Sequence, residues 1–285
     1  MKIIKYLIEF IFIIVLFCIF KIIGLNLSRK ISSKLFSTFG PKFRSKKIIE
    51  DNISLALQKT DQKHTNSIIT KMWEYYGRIL AEYIFIKDFR KNPSNYLTID
   101  GQEILNNLKK NKEKVIFISG HFDNFELMAM HIEISGIDLA AIYRPLNNIF
   151  LNPIMEKIRK KYICKKQIRK GISGTKEILK EFKAGSSIAL MIDQRVSEGI
   201  KSKLFNKDAL TTTIPAQFVK KFNCKIVPIF IQRKENKNFQ IEISSPISFE
   251  KNHNIEDITL RLNQILEKMI LRNPYQWIWS HNRWK

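Results

Sequence analysis

Apolar residues follow two different rhythms along this chain. From residue 6 to 25 they are nearly continuous, YLIEFIFIIVLFCIFKIIGL. A helix of that length rises about 30 Å, the thickness of a bilayer's hydrocarbon core. Glu9 and Lys21 sit near its two ends, where charged side chains can reach the headgroups. No small-residue cleavage site follows, so the segment reads as a retained transmembrane anchor rather than a removed signal peptide. A helix lying along the interface is the other reading open to it. The expected division is an anchor over residues 1–30 and a body over residues 31–285.

The body has shorter periods. Lys47–Leu57 and Asn66–Phe89 carry apolar residues at helical spacing; Ile69, Met72, Trp73, Tyr76, Ile79 and Leu80 mark the second. Gly77 and Glu82 interrupt that face, and a paired or solvated Glu82 is expected there. After Asn92-Pro93 strands and helices alternate. Strands are expected at Tyr96–Ile99, Val115–Ser119, Leu139–Tyr143, Ser187–Ile192, Lys225–Ile231 and Phe239–Ile243. Helices are expected at Gln102–Lys109, Phe125–Ile134, Asn152–Lys161, Thr175–Phe182, Thr213–Phe222 and Ile255–Leu271. This alternation predicts an α/β fold: a mixed, mostly parallel sheet flanked by helices. Neither repeats nor a low-complexity linker appear.

Charge and cysteine change the picture modestly. The 285 residues hold 49 Lys and Arg against 26 Asp and Glu, a formal net charge of +23. That balance suits a polyanionic partner: nucleic acid, an anionic membrane, or an acidic substrate or carrier. Basic residues follow the anchor closely, from Arg29 and Lys30 to Lys46 and Lys47, which places the body on the cytoplasmic side and near anionic lipid. Cys18, Cys164 and Cys224 are odd in number and far apart, so no disulfide framework or metal spacing is present.

The candidate chemistry sits at strand ends. Three apolar strands each finish in a polar group: Ser119-Gly120-His121, Tyr143-Arg144 and Ile192-Asp193-Gln194. In a parallel sheet these ends gather along one edge, where open α/β sheets bind ligands. Glu126 follows His121 by five residues, roughly 140° apart on a continuous helix. The two meet only if the chain turns between them. A carboxylate beside a His orients the ring and stabilises its protonated form, which makes a general base. Asp123 is a rival carboxylate. Arg144 would bind phosphate or a developing oxyanion. Asp193 and Gln194 would orient Arg144 or hold an acceptor hydroxyl. A loop-stabilising ion pair between Arg144 and Asp193 is the plainer alternative. A Gly-rich phosphate loop, an HExxH pattern and a GxSxG elbow are all lacking. Neither a metal nor a cofactor nor a covalent enzyme intermediate is therefore expected.

GHFDNFE at Gly120–Glu126, YRP at Tyr143–Pro145, IRKGISG, MIDQ and the ending PYQWIWSHNRWK together resemble the bacterial lipid A late acyltransferases. The resemblance covers essentially the whole chain and is strongest in the combination of these motifs; His-x4-Glu alone is weakly specific. It implies a glycerolphosphate-acyltransferase-like fold. It implies transfer of an acyl chain from acyl carrier protein to a hydroxyacyl chain of a Kdo-bearing lipid A precursor, at the cytoplasmic face of the inner membrane. Residue by residue, it implies His121 as base with Glu126 as its acidic partner, and Arg144, Asp193 and Gln194 as substrate-binding residues. The family usually has two aromatics and a glycine where this chain has Leu204-Phe205-Asn206, which leaves acyl-chain length open. For the tail, Trp277, Trp279 and Trp284 suggest packing or lipid contact rather than chemistry. Two rivals stand beside this reading. One is an acyltransferase for a glycerol-phosphate or glycolipid hydroxyl. The other is a non-catalytic basic module that binds anionic lipid or nucleic acid, whereas the acyltransferase reading has no nucleic-acid partner.

Overall fold

Strand pairing follows from which segments can be buried on both faces. The computed structural model describes residues 2–58, 60–234 and 238–285. In chain order the elements are α1 (Lys2–Phe39), α2 (Lys46–Leu57), α3 (Gln62–Glu82), α4 (Ile86–Lys91), β1 (Leu97–Asp100), α5 (Gln102–Lys110), β2 (Ile116–Ser119), α6 (Glu126–Ile134), β3 (Leu139–Tyr143), α7 (Leu151–Tyr162), β4 (Lys166–Arg169), α8 (Ile172–Lys183), β5 (Ser187–Met191), β6 (Ile200–Leu204), β7 (Lys207–Thr211), α9 (Ile214–Phe222), β8 (Ile226–Arg233), β9 (Phe239–Ile243) and α10 (Ile255–Arg272). Among the described residues, seven strands form one sheet in the order β1-β9-β8-β2-β5-β3-β4. Every pair is parallel except β8 with β9. The sheet is thus mixed and mostly parallel, with helices around it. β2, buried at all four positions, lies at its centre, as an unbroken apolar run should.

Two features were not expected from the pattern. β4 is an edge strand of sequence KQIR in which only Ile168 is fully buried. β6 and β7 form a separate antiparallel hairpin. Its turn is Phe205-Asn206, both in the left-handed region at φ 52° and 60°, so Asn206 does keep a tight turn where a glycine would be usual. The single helix expected over 66–89 is instead broken at Tyr83–Phe85, a 3-10 turn between α3 and α4.

α1 extends well beyond the expected anchor. Gly24, at φ 77° and ψ 167°, interrupts it, a backbone state that glycine adopts readily. The Ser28 hydroxyl lies within hydrogen-bond distance of the carbonyls of Phe20 at 3.0 Å and Gly24 at 2.7 Å, on either side of the break. After Gly24 the helix packs on α3, burying Ser28, Arg29, Ser32 and Ser33. Gly77 permits the approach: a Cβ there would lie 2.2 Å from the Ser32 carbonyl oxygen. The body's packing therefore begins before residue 31.

Candidate active site

The sheet register brings two of the predicted residues side by side. β2 and β5 are adjacent and parallel, with Ser119 opposite Met191. His121 and Asp193 each lie two residues further on, at the C-terminal edge. His121 Nδ1 lies 2.8 Å from Asp193 Oδ1. The other carboxylate oxygen accepts the His121 backbone N–H at 2.7 Å and the Trp277 indole N–H at 2.9 Å. Burial disfavours the Asp193 charge, but the His121 ring and these N–H donors outweigh it and hold the carboxyl at about 2. An ionised carboxylate only accepts, so Nδ1 carries a proton, and in the neutral ring Nε2 is then the acceptor. Gly120 makes room for the arrangement. A Cβ there would press on Phe122 at 2.8 Å and Leu266 at 3.0 Å.

The expected partner of His121 was Glu126, and the structure differs. Glu126 begins α6 and turns away to a buried group of its own. It accepts from Arg159 Nε at 2.7 Å and from the Tyr83 hydroxyl. Arg159 Nη2 also donates to the Tyr83 oxygen at 3.1 Å. Four residues of irregular chain, 122–125, separate His121 from α6, and no helix face joins them. The ring instead takes the carboxylate that the neighbouring strand delivers.

Asp123, the rival carboxylate, is also committed elsewhere. It sits at φ 35° and is fully buried against Arg233, which donates to it at 2.9 and 2.6 Å. Arg233 reaches Glu82 at 2.6 and 3.1 Å, and Glu82 accepts further from Arg29 at 2.6 Å and Asn124 at 2.8 Å. Two arginines and two carboxylates thus form a neutral buried cluster under the His121–Glu126 loop. Glu82, on the face where a paired glutamate was expected, is its hub. Burial opposes the Glu82 charge, and Arg233 with Arg29 more than compensates, lowering its pKa.

A cavity of about 1020 Å³ opens over this edge. His121, Glu126, Arg144 and Gln194 all line it, together with Arg159, Lys170 and His281. Phe36, Trp73, Phe125, Ile142 and Leu190 supply apolar wall. Such a mixture of apolar wall and a few convergent polar groups suits a ligand site. Arg144 is exposed and makes no ion pair with Asp193, so neither the expected orienting contact nor the plain loop ion pair forms. Arg159 Nη1 is buried and has no partner among the described residues. Burial and then the Arg144 charge lower the Lys170 pKa. His281 Nε2 accepts the Arg195 backbone N–H at 2.9 Å, and burial pulls its pKa down to about 4.

The tail packs beneath the pair, close to the packing role expected of it. Trp277 and Trp279 are buried, with ring centroids 4.6 Å apart and edge-to-face. Phe122 and Trp277 form an isolated antiparallel bridge. Arg283 donates to the Leu210 carbonyl and the Thr211 hydroxyl, each at 2.7 Å. The Trp277 bond to Asp193 adds what sequence reasoning missed: one tail residue touches the pair directly. Tyr83, Arg159 and Arg233 were also missed.

Comparison with known proteins agrees in one direction. Residues 1–285 match the family described as bacterial lipid A biosynthesis acyltransferase. The Lipid A biosynthesis lauroyltransferase of Escherichia coli (strain K12) is 23% identical over 251 residues, covering 85% of this chain and 79% of that protein. The Lipid A biosynthesis acyltransferase of Haemophilus influenzae is 27% identical over 191 residues, covering 64% of this chain and 60% of that protein. Among solved structures, the 1-acyl-sn-glycerophosphate acyltransferase PlsC from Thermotoga maritima aligns with a TM-score of 0.43 at 13% identity, over 88% of this chain and 99% of that one.

Proposed function

The chain belongs to the bacterial lipid A biosynthesis acyltransferases, and from that premise we propose that it moves a fatty acyl chain from acyl carrier protein to a hydroxyl on a hydroxyacyl chain of a Kdo-bearing lipid A precursor. The observation that carries the proposal is His121 in the wall of the cavity, with the buried Asp193 carboxylate behind its ring. Nε2 of His121 takes the proton of the acceptor hydroxyl as its oxygen attacks the thioester carbonyl carbon. A C–O bond forms, the C–S bond breaks, and the carrier thiol leaves with the proton. Asp193 holds the ring in the tautomer that accepts at Nε2 and stabilises the imidazolium. Arg159, in the cavity wall, offers its guanidinium to the developing oxyanion, and Glu126 with Tyr83 holds that guanidinium in place. Arg144 and Lys170 meet acceptor phosphates, and Gln194 contacts the acceptor. Neither a metal nor a cofactor has a part in these steps.

Charge supports the donor and the location. At +23 the chain is attracted to an acidic carrier protein and to an anionic inner-membrane leaflet. The body works on the cytoplasmic side, where carrier thioesters are made.

The test is product mass. The detergent-solubilised protein is incubated with a Kdo-bearing tetra-acylated precursor and mixed acyl carrier protein thioesters. Parallel reactions use coenzyme A thioesters, and glycerol-phosphate and glycolipid acceptors. A gain of one acyl chain on the lipid A precursor from the carrier thioester is expected. Acylation confined to another acceptor would overturn the proposal.

A further inference from the structure

Residues 2–23 of α1 do not stand clear of the body. Tyr6, Phe10, Phe17 and Phe20 recur at helical spacing on one face, and Phe17 and Phe20 pack with Ala81 of α3. At the other end, Asn148 Nδ2 donates to the Tyr6 carbonyl at 2.8 Å and to Glu9 Oε2 at 3.3 Å. The rings of Phe10 and Phe150 lie 6.0 Å apart. Near Gly24, Lys21 pairs with Asp88 at 3.7 Å. Contacts at residue 6 and residue 20 are about 21 Å apart along the helix, at about 1.5 Å per residue. The helix therefore lies along the body for most of its length.

A membrane crossing conflicts with these contacts. It would carry the 146–150 loop and the start of α7 about two-thirds of the way through a core of about 30 Å. Asn152, Glu156 and Lys157 would travel with them, and such groups are costly in hydrocarbon. The outward face of the helix nevertheless needs an apolar partner. All but four of the exposed large apolar side chains among the described residues lie before residue 44, and one of the four is Ile149, beside Asn148. The apolar face continues past Gly24 to Phe39 and Phe43. Phe43 is 77% exposed and also lines the active-site cavity.

We infer that α1 lies in the plane of one leaflet and that the body meets the membrane on this face, with the cavity opening beside the lipid. The occupant of the face is the acyl region of an anionic bilayer. Basic residues before and after the apolar run, Lys2, Lys5, Lys30, Lys34, Lys42 and Arg44, suit its headgroups. A lipid acceptor then reaches His121 sideways, without leaving the leaflet. That last consequence rests on the acyl-transfer proposal; the placement of the helix does not.

The test uses the full chain with Cys18→Ser, since Cys164 and Cys224 are buried. Lys2→Cys is compared with Lys110→Cys on α5, both in sealed vesicles of anionic phospholipid that present the body outward. A membrane-impermeant maleimide should label both positions equally before and after detergent permeabilisation. Labelling of Lys2→Cys only after permeabilisation would mean a crossing helix and overturn the inference. In the same vesicles, Phe10→Cys with Phe150→Cys should be bridged by a short bismaleimide that spans the space the two rings fill, and failure to do so would overturn it too. So would a chain that stays off the vesicles as an oligomer, the apolar face against its own copy. Acylation is not read in this experiment, so its failure and that of the acyl-transfer proposal are distinguishable.

Discussion

Asp193→Asn separates the two carboxylates that have a claim on His121. In the native protein Asp193 accepts three hydrogen bonds: one from the ring and two from the His121 backbone and Trp277. An amide has one acceptor atom. The oxygen goes to the side with two fixed N–H donors, because those cannot invert. The amide NH₂ then faces Nδ1, which must accept, and the ring proton moves to Nε2. The base is lost although the side chain keeps its shape. General-base catalysis contributes roughly 10²–10⁴-fold, about 2.7–5.4 kcal/mol of barrier. The rate constant should fall by that factor with little change in KM. Each of the three bonds also loses a charged acceptor, weakening by about 1 kcal/mol. The fold therefore loses at most about 3 kcal/mol of a typical 5–15 kcal/mol, and the variant stays folded. Steady-state acyl transfer and chemical denaturation measure both quantities. Glu126→Gln is the control. It disturbs the Arg159 and Tyr83 contacts but not the ring tautomer. If Asp193→Asn stays within a few-fold of wild type while Glu126→Gln abolishes the tautomer-dependent step, the pairing argued above is wrong.

Two other outcomes follow from the buried groups. Arg233→Ala leaves Glu82 and Asp123 buried without their main cation, and should destabilise the protein by about 3–5 kcal/mol; denaturant titration showing less than about 1 kcal/mol would place those carboxylates in a more solvated setting than their burial indicates. Burial lowers both His131 and His281 from 6.5 to about 4, so both are neutral in the folded protein. A depressed folded pKa means that the unfolded chain binds protons first as pH falls. Stability is then full above about 6.5 and declines as pH drops toward 4. Melting temperature across that window measures it, and His131→Gln should flatten part of the decline.

The sheet's centre was legible because its strands are unbroken apolar runs that must be buried on both faces. β4 and the β6–β7 hairpin were not, since KQIR, IKSKL and KDALT are short and rich in charge. Periodicity has little to register in such segments. His121, Arg144, Asp193 and Gln194 were findable as polar groups at strand ends; His121, Arg144 and Gln194 do share one cavity with Glu126, and Asp193 lies buried behind the His121 ring. Which carboxylate meets the ring was not findable from spacing. That depends on β5 lying next to β2, 72 residues away in sequence, and on the Ser119–Met191 register. A local motif favours the nearer Glu126, and the sheet order overrides it. Arg233 gave a faint signal, as a charged residue closing the apolar run of β8. Arg159 gave none, being one cation among several on α7. Gly77 reads in sequence as a flaw in an amphipathic helix, whereas in the fold it is the point at which α1 approaches α3.

The central claim is that His121, oriented by Asp193, removes the acceptor proton during acyl transfer. The most direct measurement is the single-turnover rate of acyl transfer by His121→Ala against wild type, with carrier thioester and lipid A precursor both saturating. The account predicts a fall of roughly 10²–10⁴-fold, with melting temperature and vesicle binding unchanged. A folded, substrate-saturated His121→Ala protein that transfers the acyl chain at the wild-type rate would contradict it.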